Sequence, residues 1–153
     1  MMIALVLLAT QAAPPAQEKR TDFLRRLYEK DRATFGDARR LVVGLAADVP
    51  ADGDARKEAA DRGLVDPSWE LADAGPVDKG TVAYMLVKAL GIRGGLTMSV
   101  FGPSRRYAFR EVVFLRIMKG GTPGEFISGR ELIDVLQAAE IYQRQGSTDA
   151  ERK

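Results

Sequence analysis

The segment from Gly91 to Glu111 has the sequence GIRGGLTMSVFGPSRRYAFRE and separates two stretches of helical pattern. Its glycines and Pro103 interrupt helical periodicity, whereas apolar residues recur at helical spacing on both sides of it. The β-branched and aromatic residues of the range 96–101 favour a short extended piece. The segment therefore predicts two helical halves joined by a Gly-rich connector.

The two halves are diverged copies of one unit. Ala55-Arg56-Lys57-Glu58 matches Ala108-Phe109-Arg110-Glu111 at an offset of 53 positions, and Val77-Asp78 matches Ile127-Ser128 at an offset of 50. Each copy contains a helix, an apolar plug, a loop, an N-cap residue and a second helix. Such units bury their apolar faces only by packing on each other, so we expect internal units at about 54–91 and 107–142.

Capping residues predict where the other helices begin. Thr21 is placed to cap a first helix, and Thr34 with Asp37 resembles a capping box for a second. Ser128 with Glu131 is a capping box for the last helix. We therefore predict an all-α domain over 21–142, with about six helices in two repeat-like helix-loop-helix units plus an N-terminal helix pair. A flexible arm is expected at 14–20 and a flexible tail at 143–153.

The first thirteen residues have the pattern of a secretory signal peptide. An apolar run from Ile3 to Ala9 precedes the small residues of Thr10-Gln11-Ala12-Ala13. The run is shorter than the roughly 20 apolar residues that span a bilayer, so no transmembrane span is expected. We predict a cleaved signal at 1–13 and a periplasmic or secreted protein. The alternative is a buried N-terminal strand or helix.

The composition argues against most catalytic classes. The chain contains no Cys and no His, so disulfides, thiol catalysis, cysteine metal sites and the commonest general base are excluded. Carboxylates such as Glu131 and Asp66 are explained as capping and turn residues. We therefore expect no enzyme, no metal site and no cofactor.

Charge is strongly segregated along the chain. The range 46–78 holds three basic and nine acidic residues, a balance of −6, whereas 79–130 holds nine basic and two acidic residues, a balance of +7. The two segments can attract one another within the fold. Alternatively, the basic segment faces an anionic partner such as a cell-wall polymer, a phospholipid surface or nucleic acid.

The connector is the candidate ligand-binding surface, because arginine forks recognise carboxylate or phosphate and aromatic faces stack on sugar rings. The alternative is a solvated loop whose arginines pair with the acidic segment 48–78. We do not expect nucleic acid, because an exported protein rarely meets it and the basic residues do not lie on one amphipathic helix. The predicted site comprises Arg93, Phe101, Arg105, Arg106, Tyr107 and Arg110.

The repeat over about 54–140 resembles the S-layer homology repeat of cell-envelope proteins. Ala59-Ala60-Asp61-Arg62-Gly63-Leu64-Val65 is similar to that family's first helix end, and Ile127-Ser128-Gly129-Arg130-Glu131-Leu132 is similar to the start of its second helix. The family usually has three units and a Thr-Arg-Ala-Glu-like motif, whereas this chain shows two units and lacks the motif intact. The resemblance implies non-covalent attachment to cell-wall polysaccharide or peptidoglycan.

These patterns together predict an exported, non-enzymatic binding or structural protein of the cell envelope, whose partner is an anionic cell-wall polymer. The first alternative is a helical adaptor that binds an envelope protein in the periplasm. The second is a small cell-wall hydrolase.

Overall fold

The computed structural model describes residues 15–46, 54–94 and 102–151, with side chains over 20–46, 54–94 and 102–146. These ranges are all-α and contain no strand, which confirms the predicted fold class; two isolated β-bridges occur between loops. Their six helices are α1 (Pro15–Tyr28), α2 (Phe35–Ala46), α3 (Ala55–Asp61), α4 (Lys79–Ala89), α5 (Arg105–Phe114) and α6 (Gly129–Glu151).

Three buried residues, each placed just before a helix, are joined by a closed ring of backbone hydrogen bonds. The Ala33 amide donates to the Ile127 carbonyl at 2.8 Å, and the Ile127 amide donates to the Val77 carbonyl at 3.2 Å. The Val77 amide closes the ring by donating to the Ala33 carbonyl at 3.0 Å. The loops before α2, α4 and α6 therefore meet around an approximate threefold arrangement.

The residue after each ring member is an N-cap. Thr34, Asp78 and Ser128 accept hydrogen bonds from backbone amides three residues later, at 3.2, 2.7 and 3.2 Å. These contacts confirm the caps predicted for α2, α4 and α6. The first turn of each helix is thus satisfied by its own sequence.

The first amide of each of these helices is satisfied by another unit. Phe35 donates to the Gly75 carbonyl, Lys79 to the Glu125 carbonyl and Gly129 to the Lys30 carbonyl, each at 2.9 Å. Amides in the first turn of a helix have no intrahelical partner. The units are consequently joined by backbone hydrogen bonds, which use atoms that do not vary with the side chain.

The N-terminal helix pair is therefore a third unit, which extends the prediction of two units plus a pair. The α1–α2 pair supplies Ala33, Thr34 and the Lys30 carbonyl to the ring as the other pairs supply their equivalents. Its loop, 29–34, is much shorter than the equivalent loops at 62–78 and 115–128. Because the loop lengths differ, a search at a fixed offset does not detect this unit.

Gly129 lies where α6 crosses the end of α1. A Cβ atom on this residue would lie 1.7 Å from the Leu27 carbonyl oxygen. The close approach lets the Gly129 amide reach Lys30, so only glycine fits the seam between the first and third units.

The core is centred on α4, whose residues from Lys79 to Val87 are all buried. Its most extensive helix contact is with α5, and it also packs on α2; α1 packs on α6. The buried amine of Lys79 lies 3.2 Å from Glu125 Oε1 and 3.0 Å from Glu131 Oε1. Burial acts to lower the pKa of Lys79, but hydrogen bonds to Glu131 and Glu125 raise it. The charge is thus compensated across the seam between the second and third units.

The ends of α3 and α5 have the same backbone hydrogen bonds at an offset of 53 residues. The Leu64 amide donates to Ala59 and the Ile117 amide to Val112, both at 2.9 Å, as in a Schellman motif. Gly63 has φ 62°, and Arg116 has φ 59° at the equivalent position. The two first helices therefore end with the same backbone geometry.

Two predicted boundaries differ from the structure. Helix α1 begins at Pro15, so residues 15–20 of the expected arm are helical and Thr21 lies inside α1 instead of capping it. Proline suits a first helical position because its missing N–H has no partner there anyway. Helix α6 continues to Glu151 through the expected tail.

The predicted signal at 1–13 and the extended piece at 96–101 lie outside the described residues. No described helix combines the length and the apolar character needed to cross a membrane.

Candidate functional site

A groove of about 770 Å³ lies between the first and second units. We call it the first groove. Helices α2, α3 and α4 and the loop at 62–72 form its walls, so it exists only because the two units pack together. It is lined by Phe35, Arg39, Arg56, Ala60, Gly63, Val65, Asp66, Pro67, Trp69, Glu70, Leu71, Ala72, Tyr84 and Lys88.

Two aromatic rings line the first groove, and each contacts a cation. Trp69 and Tyr84 meet edge to face with ring centroids 4.9 Å apart. The Arg105 guanidinium lies 4.3 Å from the Trp69 centroid, and the Lys88 amine lies 5.7 Å from the Tyr84 centroid. Trp69 is partly buried and Tyr84 is buried. Lys88 is itself a lining residue, whereas Arg105 reaches the groove only through its contact with Trp69.

The lining of the first groove also includes an arginine pair, Arg39 and Arg56, held by one carboxylate. Arg39 bonds both oxygens of Asp73, and Arg56 Nη2 lies 2.8 Å from Asp73 Oδ2. The hydrogen bond from Arg39, followed by that from Arg56, lowers the pKa of Asp73. Arg39 Nε is buried without a hydrogen-bond partner among the described residues. Such donors are rare in folded proteins and mark places where water or a ligand is accommodated.

Asp66, a lining residue of the first groove, also has a shifted pKa. Ser68 donates to Asp66 Oδ1 from its hydroxyl at 2.6 Å and from its amide at 2.9 Å. These hydrogen bonds lower the pKa of Asp66. Asp66 and Asp73 are both ionised at neutral pH, so each acts as a hydrogen-bond acceptor and not as a proton donor.

The third unit contains an equivalent cavity of about 370 Å³, which we call the second groove. Helices α3 and α5 are related by an offset of 53 residues. The positions that this offset makes equivalent to Ala60, Gly63, Val65, Asp66 and Pro67 of the first groove all line the second groove. The same holds for Tyr84 and Lys88 at the offset of 50 residues that relates α4 to α6. The equivalent residues are Val113, Arg116, Met118, Lys119, Gly120, Asp134 and Ala138.

The chemistry of the second groove differs from that of the first. Asp134 stands in place of Tyr84, and no aromatic residue lines the cavity. Arg116 occupies the left-handed position that Gly63 occupies in the second unit. That conformation costs a residue with a Cβ about 1 kcal/mol relative to glycine. The internal repeat has therefore produced two related cavities with different linings.

The structure places the predicted connector residues on several surfaces. Arg105 stacks on Trp69 at the first groove and lies 3.6 Å from Asp78. Arg93 follows α4 and is exposed. Arg106 and Arg110 lie four residues apart on the exposed side of α5, whereas Tyr107 packs partly against the core. Phe101 lies outside the described residues. Of the described members of the predicted site, Arg105 alone contacts a residue that lines the first groove.

Sequence reasoning did not identify the side chains that form the first groove. It allowed pairing between connector arginines and the acidic segment, and Arg105 pairs with Asp78 in the structure. Arg39, Arg56 and Lys88 come from three separate helices, so no local sequence pattern groups them. Only the packing of the units brings these cations together.

No family model, curated protein or solved structure was found to match this chain. The described residues contain no group of three acidic side chains placed to hold a metal ion. Within the part of the chain that the structure describes, the two grooves are therefore the basis for a functional proposal.

Proposed function

We propose that the protein is exported to the cell envelope and binds cell-wall polysaccharide non-covalently in the first groove. The observation that carries this proposal is the pair of groove-lining rings Trp69 and Tyr84, with the cations Arg39, Arg56 and Lys88 in the same lining. Apolar ring surfaces pack against sugar rings, and Arg or Lys side chains bind the acidic groups of an anionic polymer. The signal-like pattern at 1–13 supports export.

The threefold arrangement supports the resemblance to S-layer homology repeats. That family usually has three helix-loop-helix units, and the α1–α2 pair provides a third unit alongside the two seen in the sequence. The inter-unit position of the first groove depends on this arrangement. Wall attachment by packed repeat units is thus the role we infer for the protein.

We further propose that the protein binds without cleaving its ligand. Glycoside hydrolysis commonly needs one carboxyl group with a raised pKa as general acid. The pKa values of Asp66 and Asp73 are both lowered by hydrogen bonds from neighbouring side chains. These two carboxylates therefore suit hydrogen-bond acceptance and not the role of general acid.

The test is co-sedimentation of residues 14–153 with purified cell-wall sacculi over a salt series from about 0.05 to about 1 M. One variant carries Arg56→Ala with Lys88→Ala. A matched control carries Arg106→Ala with Arg110→Ala, which removes the same charge from the exposed side of α5. All four side chains are exposed, so both variants should fold.

We expect the wild type to bind with salt-sensitive affinity. The groove variant should lose at least about tenfold in affinity, because two charged contacts to the ligand are removed, whereas the control should change by less than about twofold. Equal losses in both variants would indicate non-specific attraction. A loss confined to the control would indicate that the ligand binds at the connector and not in the first groove. Absence of binding at every salt concentration would refute the proposed function.

One observation favours the adaptor alternative. Phe114 on α5 is 79% exposed, and Ile141 on α6 is 49% exposed. Large exposed apolar side chains are common at protein–protein interfaces. A stable complex with an envelope protein that dissociates on Phe114→Ser, combined with no binding to sacculi, would favour the adaptor.

A further inference from the structure

Arg116 is an outlier whose equivalent in the second unit is glycine. Among the residues that the structure describes, Arg116 is the one non-glycine residue with positive φ, at 59°. It follows the end of α5 as Gly63 follows the end of α3. Strained backbone positions often occur where a side chain has a binding role. Because glycine satisfies the same turn elsewhere in this chain, the turn itself does not explain the arginine.

The side chain of Arg116 lines the second groove together with Lys119. Both residues are exposed, and neither forms an ion pair with another described residue. They belong to the turn after α5, which forms one wall of the cavity. This wall therefore presents two cations that the described structure leaves uncompensated.

The other wall, formed by α6, presents a carboxylate. Asp134 lines the cavity, is exposed and likewise forms no ion pair within the described ranges. Glu131, one turn earlier, is engaged by Lys79 at 3.0 Å. Val113 and Val135 also line the cavity. The lining therefore combines two cations and a carboxylate with apolar side chains.

We propose that the second groove binds a small zwitterion, namely a free amino acid or a free dipeptide. The ligand carboxylate pairs with Arg116 and Lys119, its ammonium pairs with Asp134, and its small apolar body contacts Val113 and Val135. A cavity of about 370 Å³ lies at the lower end of the usual size range for ligand sites and accommodates one or two residues. The proposal does not depend on polysaccharide binding in the first groove.

The experiment is an NMR titration of the full chain with D-alanyl-D-alanine, following the backbone amides of residues 116–120 and 134–138. N-acetyl-D-alanyl-D-alanine tests the carboxylate alone, and D-alanyl-D-alaninamide tests the ammonium alone. The variants are Arg116→Gly and Asp134→Asn, and the matched control is Arg106→Ala. Arg116→Gly restores the residue found at the equivalent turn, so it keeps the fold.

We expect saturable shifts confined to the second groove, with affinity for either blocked peptide at least about fivefold weaker. Arg116→Gly should raise the melting temperature by about 2–4 °C and weaken binding at least about tenfold. Asp134→Asn should weaken binding of the zwitterion but not of the N-acetylated peptide, and Arg106→Ala should change neither.

Two results would overturn the proposal. The first is no saturable shift in the wild type. The second is an Arg116→Gly variant that is stabilised but binds the peptide unchanged. Because the readout is local to the second groove, either result leaves the co-sedimentation test of the first groove unaffected.

Discussion

Asp37 shows how one carboxylate fastens the start of a helix. Its Oδ2 atom accepts hydrogen bonds from the Thr34 amide at 2.9 Å and the Thr34 hydroxyl at 2.8 Å, and it lies 2.6 Å from the Lys30 amine. Burial acts to raise the pKa of Asp37, but the hydrogen bonds from Lys30 and Thr34 lower it. The ionised form is therefore favoured in the folded state.

This environment predicts a pH dependence of stability. A carboxyl group with a lowered folded pKa stabilises the protein above its unfolded pKa, which is 3.8 for Asp37, and this contribution is lost as the pH falls through the folded value. Asp37→Asn should lower the free energy of unfolding by about 1–2 kcal/mol near neutral pH. When the pH is lowered from about 6 to about 3, the Asp37→Asn variant should lose less stability than the wild type does.

Urea denaturation at the two pH values measures this difference. Asp134→Asn serves as a control, because it removes the same charge from an exposed carboxylate that forms no ion pair within the described ranges. An Asp37→Asn variant with the same acid-induced loss as the wild type would show that Asp37 is not a main contributor.

At the scale of the helix, two glycines have opposite roles. Gly44 lies inside α2 and is exposed, and a Cβ atom added to it would have no neighbour within 4 Å, whereas a Cβ on Gly129 would overlap the Leu27 carbonyl oxygen. Helical glycine carries an entropic cost that alanine avoids, provided that space is available. The same substitution should therefore change stability in opposite directions.

We expect Gly44→Ala to stabilise the protein by roughly 0.5–1 kcal/mol. Gly129→Ala should destabilise it by about 3 kcal/mol or more, because α6 must move away from α1 and lose the bond from its amide to Lys30. Thermal and urea unfolding of the two variants give the comparison. Equal effects of the two substitutions would contradict the close contact between α1 and α6.

At the scale of the whole molecule, the ring of Ala33, Val77 and Ile127 makes the three units interdependent. Each unit receives backbone hydrogen bonds from one neighbour and gives them to another. Helix α1 contributes the buried Leu27 to this arrangement and packs against α6. We therefore expect the domain to unfold in one cooperative transition and not unit by unit.

Removal of α1 tests this expectation. A chain that begins at residue 31 lacks Leu27 and the Lys30 carbonyl, so it should lose cooperative unfolding and show a melting temperature at least about 10 °C lower. A chain that begins at residue 20 keeps both groups and should unfold like the full protein. If the chain from residue 31 melted like the full protein, α1 would be an appendage and not part of the third unit.

Local sequence was sufficient for most helix starts and for the internal repeat. Asp54, Asp78, Ser104 and Ser128 cap helices through their own side chains, and Gly63 and Gly91 have positive φ at helix ends. Each cap depends on a hydrogen bond between a side chain and a backbone amide less than four residues away in the chain. A sequence pattern of that range is visible without knowledge of the fold.

The position of the candidate site was not visible in this way. The connector was chosen because its arginines and aromatics are close in sequence, yet the first groove draws Arg39, Arg56 and Lys88 from three helices. Proximity in the chain is a poor guide to proximity in space when a site lies between packed units. Arg105 is the described residue that both approaches share, through its contact with Trp69.

The sequence by itself determined the helical class, the caps and the two related units, because these follow from short-range hydrogen bonding and from the spacing of apolar residues. The tertiary structure alone decided that α1 and α2 form a third unit, since the ring joins backbone groups of residues as far apart as Ala33 and Ile127. It also decided the two grooves and the conformation of Arg116. Contacts between distant segments depend on how the faces of the helices pack, and no local pattern specifies that packing.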